Sequence, residues 1–81
     1  MNNVFIQGKI ISDIEFNFII NSSNISITTF EVELLNKSIV KVKAYNERAD
    51  YCYKSLKKEN IIFIEGYLNS SMEIIIKTLK R

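Results

Sequence analysis

Two lysines and a tyrosine alternate along residues 38–45 of this chain, in a pattern that suits the binding of single-stranded nucleic acid. The segment reads SIVKVKAY, so the small and branched residues at even positions would face a core if it forms a strand. The opposite face would carry Ile39, Lys41, Lys43 and Tyr45. An exposed aromatic ring gives a base a surface for stacking, and nearby cations attract phosphates. We therefore expect this face to be the functional surface.

The same face also has a simpler interpretation as a solvated strand surface, because such alternation is ordinary in antiparallel sheets. In the hairpin that we predict here, Glu31 lies directly opposite Lys41. Opposite charges in this arrangement stabilise a sheet by about 0.2–1 kcal/mol, and they weaken the field that attracts phosphates. Lys43, opposite Thr29, is expected to keep its charge free.

The composition predicts a small domain made mostly of strands. The apolar fraction is 47%, and Ile, Phe, Val and Tyr, which favour strands, supply most of it. Strands are predicted over residues 3–11, 15–20, 25–34, 38–45, 61–68 and 72–79, the first two forming one strand that bends. Turns built from Asn and Ser are predicted at 21–24 and 69–71, and a short hairpin at 35–37.

One helix is predicted, over residues 47–58. Its apolar face is formed by residues at helical spacing, Ala49, Cys52 and Leu56. Asn46 is placed to cap the N-terminus. Lys57 and Lys58 would lie in the last turn, where the helix dipole favours cations.

This order of elements, three strands, a helix and two strands, is that of the five-stranded Greek-key barrel called the OB-fold, with the helix between strands 3 and 4. We therefore predict an all-β fold with one short helix, forming a single domain over residues 1–81. Gly8 and Gly66 fall in mid-strand, where the tight curvature of a barrel favours glycine. A chain of this length buries only about 60% of its unfolded surface, so association between copies would add stability.

Residues that support catalysis are scarce. The chain has no histidine and one cysteine, Cys52, which makes neither a nucleophilic dyad nor a metal site. We expect a protein that is not an enzyme and that uses no cofactor or metal. Its net charge of +2 permits binding to a polyanion but does not by itself indicate it.

The expected location is the cytoplasm, without membrane contact. A lone cysteine cannot form an intrachain disulfide, and the N-terminus lacks the features of a signal peptide. No apolar run approaches the roughly 20 residues that span a bilayer. These features together favour an intracellular protein.

An apolar stripe is predicted on the outward face of the fourth strand, where Ile61, Phe63 and Tyr67 alternate with inward residues and Glu65 interrupts them. Such a stripe is either a stacking surface or an interface between subunits. Because the aliphatic side chain of Ile61 stacks poorly on bases, we favour the interface of a homodimer or homotetramer.

The aromatic residues outside these two rows include Phe16, Phe18, Tyr51 and Tyr53. For Phe16 and Phe18, packing beneath the barrel and exposure of one ring for stacking both stay open. Tyr51 and Tyr53 lie on the predicted helix, and we expect them to be partly buried against the end of the barrel.

Several motifs, in order along most of the chain, carry a family resemblance. They are Asn3-Val4-x-Ile6-x-Gly8-Lys9-Ile10, Asp13-x-Glu15, Phe30, Ala49, Leu56-Lys57-Lys58 and Ile64-Glu65-Gly66-x-Leu68. With this spacing the chain resembles the bacterial single-stranded DNA-binding proteins and their primosomal relatives. The resemblance implies an OB-fold, assembly into homo-oligomers and sequence-independent binding of single-stranded DNA without catalysis.

The resemblance also bears on single residues. Tyr45 falls where the family tends to carry an aromatic stacking residue, and Ile39 where many members carry tryptophan, of which this chain has none. The hairpins at 35–37 and 69–71 are short where the family uses long loops, and the chain ends in Lys80-Arg81 where replicative members have an acidic tail. We therefore expect a short, tail-less member that serves replication, repair or the maintenance of a mobile element.

The predicted nucleic-acid site centres on Tyr45, which stacks a base, with Lys41 and Lys43 on phosphates and Ile39 beside them. Further cations are expected to help, namely Lys9, Lys37, Lys77, Lys80 and Arg81. Whether the strand is DNA or RNA stays open, because nothing in the sequence identifies a 2′-hydroxyl contact. The alternative function is an OB module that binds another protein, or an assembly subunit, without significant binding of nucleic acid.

Overall fold

The computed structural model describes residues 2–20 and 24–81, so part of the predicted turn at 21–24 lies outside the described residues. Within them the chain forms six strands and one helix. In chain order these are β1 (Val4–Ile10), β2 (Glu15–Ile19), β3 (Ile25–Leu34), β4 (Ile39–Tyr45), α1 (Glu47–Ser55), β5 (Ile61–Leu68) and β6 (Ile74–Lys80). The predicted order of elements is confirmed, and the bent first strand is divided into β1 and β2.

The strands close into a five-stranded barrel in the order β1-β5-β6-β4-β3, because β3 pairs with β1 as well as with β4. The pairing of β4 with β6 is parallel, and the other neighbours are antiparallel. β2 pairs with β3 beyond the point where β1 leaves it. With α1 between β4 and β5, this is the Greek-key arrangement of an OB-fold. The predicted all-β class and barrel are confirmed.

Both glycines lie where neighbouring strands approach too closely for a side chain. A Cβ atom on Gly8 would lie 2.5 Å from the carbonyl oxygen of Glu33 in β3. A Cβ atom on Gly66 would collide with the carbonyl oxygen of Ile75 in β6, next to a bulge in the pairing of β5 with β6. Glycine at these mid-strand positions therefore lets the strands pack closely around the barrel.

The interior of the barrel is filled by alternate residues of the strands together with one face of α1. Its buried apolar residues are Ile10, Phe30, Val32, Val42, Ala44, Ala49, Cys52, Leu56, Ile62, Ile64, Ile74 and Ile76. A buried threonine ties the helix to the barrel, since Thr28 Oγ1 donates a 2.8 Å hydrogen bond to the carbonyl oxygen of Ala49. Burial also raises the pKa of the Cys52 thiol from 9.0 to about 11. Ala49 and Cys52 of the predicted inward face are confirmed on the helix, and Leu56 is buried just after it.

The C-terminus of the helix comes earlier than predicted, because α1 ends at Ser55. Leu56 is buried and adopts an extended conformation, which takes the chain out of the helix. Lys57 and Lys58 therefore follow the helix, and Lys54 is the basic residue in its last turn. The described helix is neither long enough nor apolar enough to cross a bilayer.

Two hairpins connect β3 to β4 and β5 to β6. In the first, the Leu34 N–H donates a 2.8 Å hydrogen bond to the carbonyl oxygen of Ser38, and the strands take the predicted register. In the second, the side-chain oxygen of Asn69 accepts hydrogen bonds from the backbone N–H groups of Ser71 and Glu73. Because this turn extends to residue 73, β6 begins two residues later than predicted.

Candidate nucleic-acid interface

The outward row of β4 lies where the alternation predicted it. Val42 and Ala44 are buried in the core, and the side chains between them point away from it. Ile39 is 56% exposed at the start of the strand, and Tyr45 is 37% exposed at its end. The row faces out of the barrel along its whole length. We call Ile39, Lys41, Lys43 and Tyr45 the β4 face.

Lys41 is exposed in the middle of this face, opposite Glu31 of β3 as predicted. Within the described residues the two side chains form no ion pair, so the ammonium group of Lys41 stays accessible to a ligand. A groove of about 230 Å³ adjoins Lys41 and is also lined by Asp13 and Glu15. These carboxylates lower the positive potential on the β3 side of the β4 face.

Lys43 was expected to keep its charge free, and this prediction is wrong. Its Nζ lies 3.3 Å from Oε1 of Glu73, and both side chains are mostly buried. The parallel pairing of Val42 with Ile74 brings the turn before β6 beside Lys43. Asn69 Nδ2 donates a further hydrogen bond to Glu73 over 3.0 Å. This bond, and then the ammonium group of Lys43, lower the pKa of Glu73.

Tyr45 is the last residue of β4 and lies at the corner where the strand meets the helix. Asn46 follows it with a φ of 56° and precedes α1 as predicted, but its side chain makes no capping hydrogen bond. The parallel strand β6 runs beside this end of β4. The registered pairing ends at Lys43 and Ile75, so Tyr45 and Lys77 are each two residues past its last pair.

Two predicted cations lie near the opposite end of the β4 face. Lys37 is exposed in the hairpin that leads into Ile39, and it has a positive φ of 73°. Lys9, on β1, is separated from Ile39 by strand β3, since both lie opposite Glu33 of β3. The Nζ of Lys9 lies 3.7 Å from the carboxylate of Glu59. Lys37 thus extends the β4 face, whereas Lys9 has a competing partner.

The remaining predicted cations belong to β6 and the residue after it. Lys77 is exposed at the bulge, where it has no partner in the registered pairing of β5 with β6. Lys80 lies opposite Phe63 of β5, at the end of β6 that does not pair with β4. Arg81 reaches the helix, because its Nη1 donates to the carbonyl oxygen of Ser55 over 2.5 Å. Of these three, Lys77 is the one at the position along β6 that corresponds to Tyr45 on β4.

A second outward row, on β5, is apolar. Ile61 and Phe63 are each 50% exposed and Tyr67 is 40% exposed, so the predicted stripe reaches the surface. Glu65 interrupts it and accepts a 3.2 Å hydrogen bond from Thr78 Oγ1. We call Ile61, Phe63 and Tyr67 the β5 stripe.

The structure adds Phe5 to this apolar surface. It is 75% exposed on β1 and lies opposite Glu65, beside a groove of about 420 Å³ that it shares with Phe63. Alternation alone places Phe5 on the outward side of its strand. The sequence does not reveal the register between β1 and β5, and this register places Phe5 beside the β5 stripe.

Strand β6 lies between the two surfaces. Ile75 pairs with Lys43 on one side and with Tyr67 on the other, and it is buried although it lies in an outward row. The β4 face and the β5 stripe therefore approach each other at this point. They diverge elsewhere, because Phe63 lies beside Lys80 at the far end of β6.

Comparison with solved structures identifies domains of the same architecture. The SSB domain of a protein from Synechococcus sp. superposes with a TM-score of 0.86 at 14% identity, covering 100% of this chain and 96% of that one. The single-stranded DNA binding protein of Thermus aquaticus gives a TM-score of 0.85 at 18% identity, over 100% of this chain and 40% of that one. The mitochondrial single-stranded DNA binding protein of S. cerevisiae gives 0.80 at 14% identity, over 98% of this chain and 91% of that one.

No family model and no curated protein sequence matches the chain. At identities of 14–18%, the structural likeness shows the architecture, and it extends over nearly the whole chain. The resemblance found in the sequence is confirmed at this level. The chain has the OB fold of these single-stranded DNA binding proteins.

Proposed function

We propose that this protein binds single-stranded DNA on the β4 face, without sequence preference. The observation that carries the proposal is the outward row of β4, in which an exposed tyrosine follows two lysines. The same fold occurs in proteins that are named for single-stranded DNA binding. Every base can stack on an aromatic ring through its π-face, so recognition of this kind does not depend on sequence.

Tyr45 makes the largest single contribution in this proposal, since stacking of a base on an aromatic side chain is worth about 1–3 kcal/mol. Lys41 offers the more accessible charge. Lys43 exchanges Glu73 for a phosphate on binding, which reduces what its charge adds to affinity. With roughly three phosphates neutralised per subunit, the logarithm of affinity falls with the logarithm of salt concentration at a slope of about −2.

The proposal includes assembly into a homodimer or homotetramer through the β5 stripe and Phe5. Half-exposed apolar side chains gathered on one side of a small barrel support this assembly. One stack and a few phosphate contacts give weak binding, and joining several β4 faces in one particle raises the overall affinity. In such an arrangement the β4 face, on the other side of β6, stays open to the ligand.

The proposed activity is binding, with no catalytic step. We place it in the cytoplasm, in replication, repair or the maintenance of a mobile element. RNA is the competing ligand, and oligo-U measured beside oligo-dT distinguishes the two.

Fluorescence anisotropy with labelled oligo-dT at low salt tests the proposed function. Wild type is compared with Tyr45→Ala and with Tyr45→Phe, the matched control that keeps the ring. We expect Tyr45→Ala to weaken binding about 5- to 150-fold, the equivalent of one lost stack, and Tyr45→Phe to bind like wild type. Wild-type binding that is undetectable at tens of micromolar, or equal binding by all three proteins, would contradict the proposal and favour a protein-binding module.

A further inference from the structure

A groove of about 400 Å³ separates helix α1 from the C-terminal half of β6. The helix packs against β2, β3 and β4, and the groove lies on its remaining side, toward β6. The apolar residues Ile76 and Leu79 line it, and Arg48, Tyr51 and Lys77 stand around it. The groove thus combines an apolar lining with two cations and an aromatic ring.

Two arginines bridge the helix and the strand. From the helix, Arg48 Nε donates a 2.6 Å hydrogen bond to the carbonyl oxygen of Lys77, the bulged residue of β6. From the end of β6, Arg81 Nη1 donates to the carbonyl oxygen of Ser55 over 2.5 Å. Each bond uses one nitrogen of a guanidinium group, and both arginines are exposed. Their other N–H groups are available to a ligand.

Tyr51 lies on the helix between these two bridges. It is three residues after Arg48 and four before Ser55, so the three residues share one face of α1. Half of Tyr51 is exposed beside the groove. Tyr53 behaves differently, because its ring lies 4.8 Å from that of Phe16 on β2. Both tyrosines are about half exposed, and Tyr51 is the one that lies beside the cations of the groove.

The charge of the groove is positive. Within the described residues, Arg48 and Lys77 form no ion pair, and Glu47 is the one acid that lines the groove. Arg81 adds a third cation next to the last turn of the helix, beyond the residues that line the groove. Cations beside an exposed ring are the combination that binds the phosphates and bases of a single strand.

The groove begins shortly after the end of the β4 face in the chain, since Glu47 and Arg48 line it. Because β4 and β6 run parallel, Tyr45 and Lys77 lie at corresponding positions, each two residues past the last registered pair. Arg48 follows Tyr45 by three residues and reaches the same point of β6. A strand that leaves Tyr45 along this path meets Lys77 and Arg48 before it reaches Tyr51.

We propose that the groove binds a further nucleotide of the same single strand. Arg48 and Lys77 bind one phosphate, Tyr51 stacks the next base, and Arg81 binds the phosphate that follows. This inference rests on the proposed function and lengthens the stretch of strand that each subunit covers. The occupant is nucleic acid because the groove pairs an exposed ring with its cations, whereas an acidic peptide would use the cations alone.

Anisotropy with oligo-dT of two lengths, about 4 and about 10 nucleotides, separates the two sites, since an OB-fold covers roughly 4–16 nucleotides. The groove variants are Tyr51→Ala and Lys77→Gln, the second of which keeps the carbonyl that holds Arg48. Lys54→Gln, which removes a helix cation outside the groove, is the matched control. Tyr45→Ala reports on the β4 face in the same experiment.

We expect Tyr51→Ala to weaken binding of the longer oligonucleotide about 5- to 150-fold, and to change binding of the shorter one by less than about two-fold. Lys77→Gln should make the salt slope for the longer oligonucleotide shallower by about 0.7, and Lys54→Gln should not. Wild-type binding with no loss in either groove variant overturns this inference and leaves the proposed function in place. Absence of wild-type binding overturns both. Losses in the groove variants but not in Tyr45→Ala would support the groove and move the proposed site away from the β4 face.

Discussion

The outward surfaces of β4 and β5 share one structural rule but differ in chemistry. In both strands every second residue enters the core, and the residues between them form the surface. The β4 face presents two ammonium groups, with a tyrosine at its C-terminal end. The β5 stripe presents two aromatic rings and an isoleucine around a single carboxylate. A polyanion suits the first surface, and a second apolar surface suits the other.

Residues on adjacent strands and turns increase the chemical difference between the β4 face and the β5 stripe. Lys41 and Lys43 are two residues apart on one strand, yet Lys41 is unpaired within the described residues and Lys43 is held by Glu73. On the other surface, Phe63 gains an apolar neighbour because Phe5 of β1 shares its groove. Alternation decides which side chains face outward, and the adjacent strands decide what each of them can bind.

A charge at Phe63 should disrupt the association of subunits through the β5 stripe. In the proposed oligomer, Phe63→Glu places a carboxylate in a subunit contact where an aromatic residue contributes about 2–4 kcal/mol. We expect the variant to be monomeric, by analytical ultracentrifugation, at concentrations where wild type is dimeric or tetrameric. Phe18→Glu is the matched control, because Phe18 on β2 is 53% exposed against 50% for Phe63 and lies outside the β5 stripe. A monomeric wild type, or equal association of the two variants, would remove the stripe as the interface.

A substitution at Gly66 would disturb both surfaces at once. An added Cβ would collide with the carbonyl oxygen of Ile75, the residue that lies between Tyr67 and Lys43. We expect Gly66→Ala to lower the free energy of unfolding by about 1–3 kcal/mol, the usual cost of overpacking, in urea denaturation. Ser70→Ala, in the exposed turn after β5, is the control and should change it by less than about 0.5 kcal/mol. A Gly66→Ala protein as stable as wild type would show that β5 and β6 separate at little cost.

Those features of the two surfaces that depend on residues close together in the chain can be predicted from the sequence. A period of two identifies the outward residues of β4 and β5, and the short hairpin between Leu34 and Ser38 places Glu31 opposite Lys41 correctly. These features depend on residues close together in the chain. The order of strands around the helix likewise predicts the barrel, because few arrangements accommodate that order.

Contacts between segments that are far apart in the chain could not be predicted in this way. Glu73 belongs to a turn, and it meets Lys43 because β4 and β6 pair in parallel over a short stretch. The groove beside Tyr51 depends in the same way on Arg48 reaching the bulge of β6. The helix itself ends early because Leu56 leaves it to enter the core, so tertiary packing outweighs the helical period there.

Removing the carboxylate that pairs with Lys43 should make the β4 face more positive and so increase its difference from the apolar β5 stripe. Glu73→Gln removes the countercharge and keeps an oxygen that accepts the Asn69 hydrogen bond. We expect affinity for oligo-dT to rise about two- to five-fold, because Lys43 no longer has to leave Glu73 for a phosphate. The salt slope should steepen by about 0.7, because no freed carboxylate takes up a cation on binding. Glu31→Gln is the control, since Glu31 lies opposite Lys41 without an ion pair within the described residues, and its effect should be smaller. An unchanged salt slope in Glu73→Gln would place Lys43 outside the phosphate path.

The smallest expected effect is the pH dependence of this same contact. The hydrogen bond from Asn69, and then the one from Lys43, lower the pKa of Glu73 below its ordinary value of 4.5. A carboxyl whose pKa is lower in the folded than in the unfolded state stabilises the fold fully above its unfolded pKa, and this contribution is lost as the pH falls through the folded pKa. We therefore expect the difference in unfolding free energy between wild type and Glu73→Gln to be constant near neutral pH and to shrink below pH 4.5. Urea denaturation at a series of pH values measures it, and a difference that grows in acid would contradict the assignment.

Two further variants show how much Asn69 and Lys43 each contribute to this pH dependence. The other carboxyl groups titrate in every variant, so the difference from Glu73→Gln isolates one residue. Both partners lower the pKa of Glu73, and the Asn69 hydrogen bond is the largest single cause, so Asn69→Ala and Lys43→Gln should each reduce the dependence. A larger reduction in Lys43→Gln would mean that the ammonium group of Lys43 chiefly holds Glu73 in its ionised form. In that case, moving Lys43 from Glu73 to a phosphate would destabilise the folded protein. Lys41 would then be the principal cation of the β4 face.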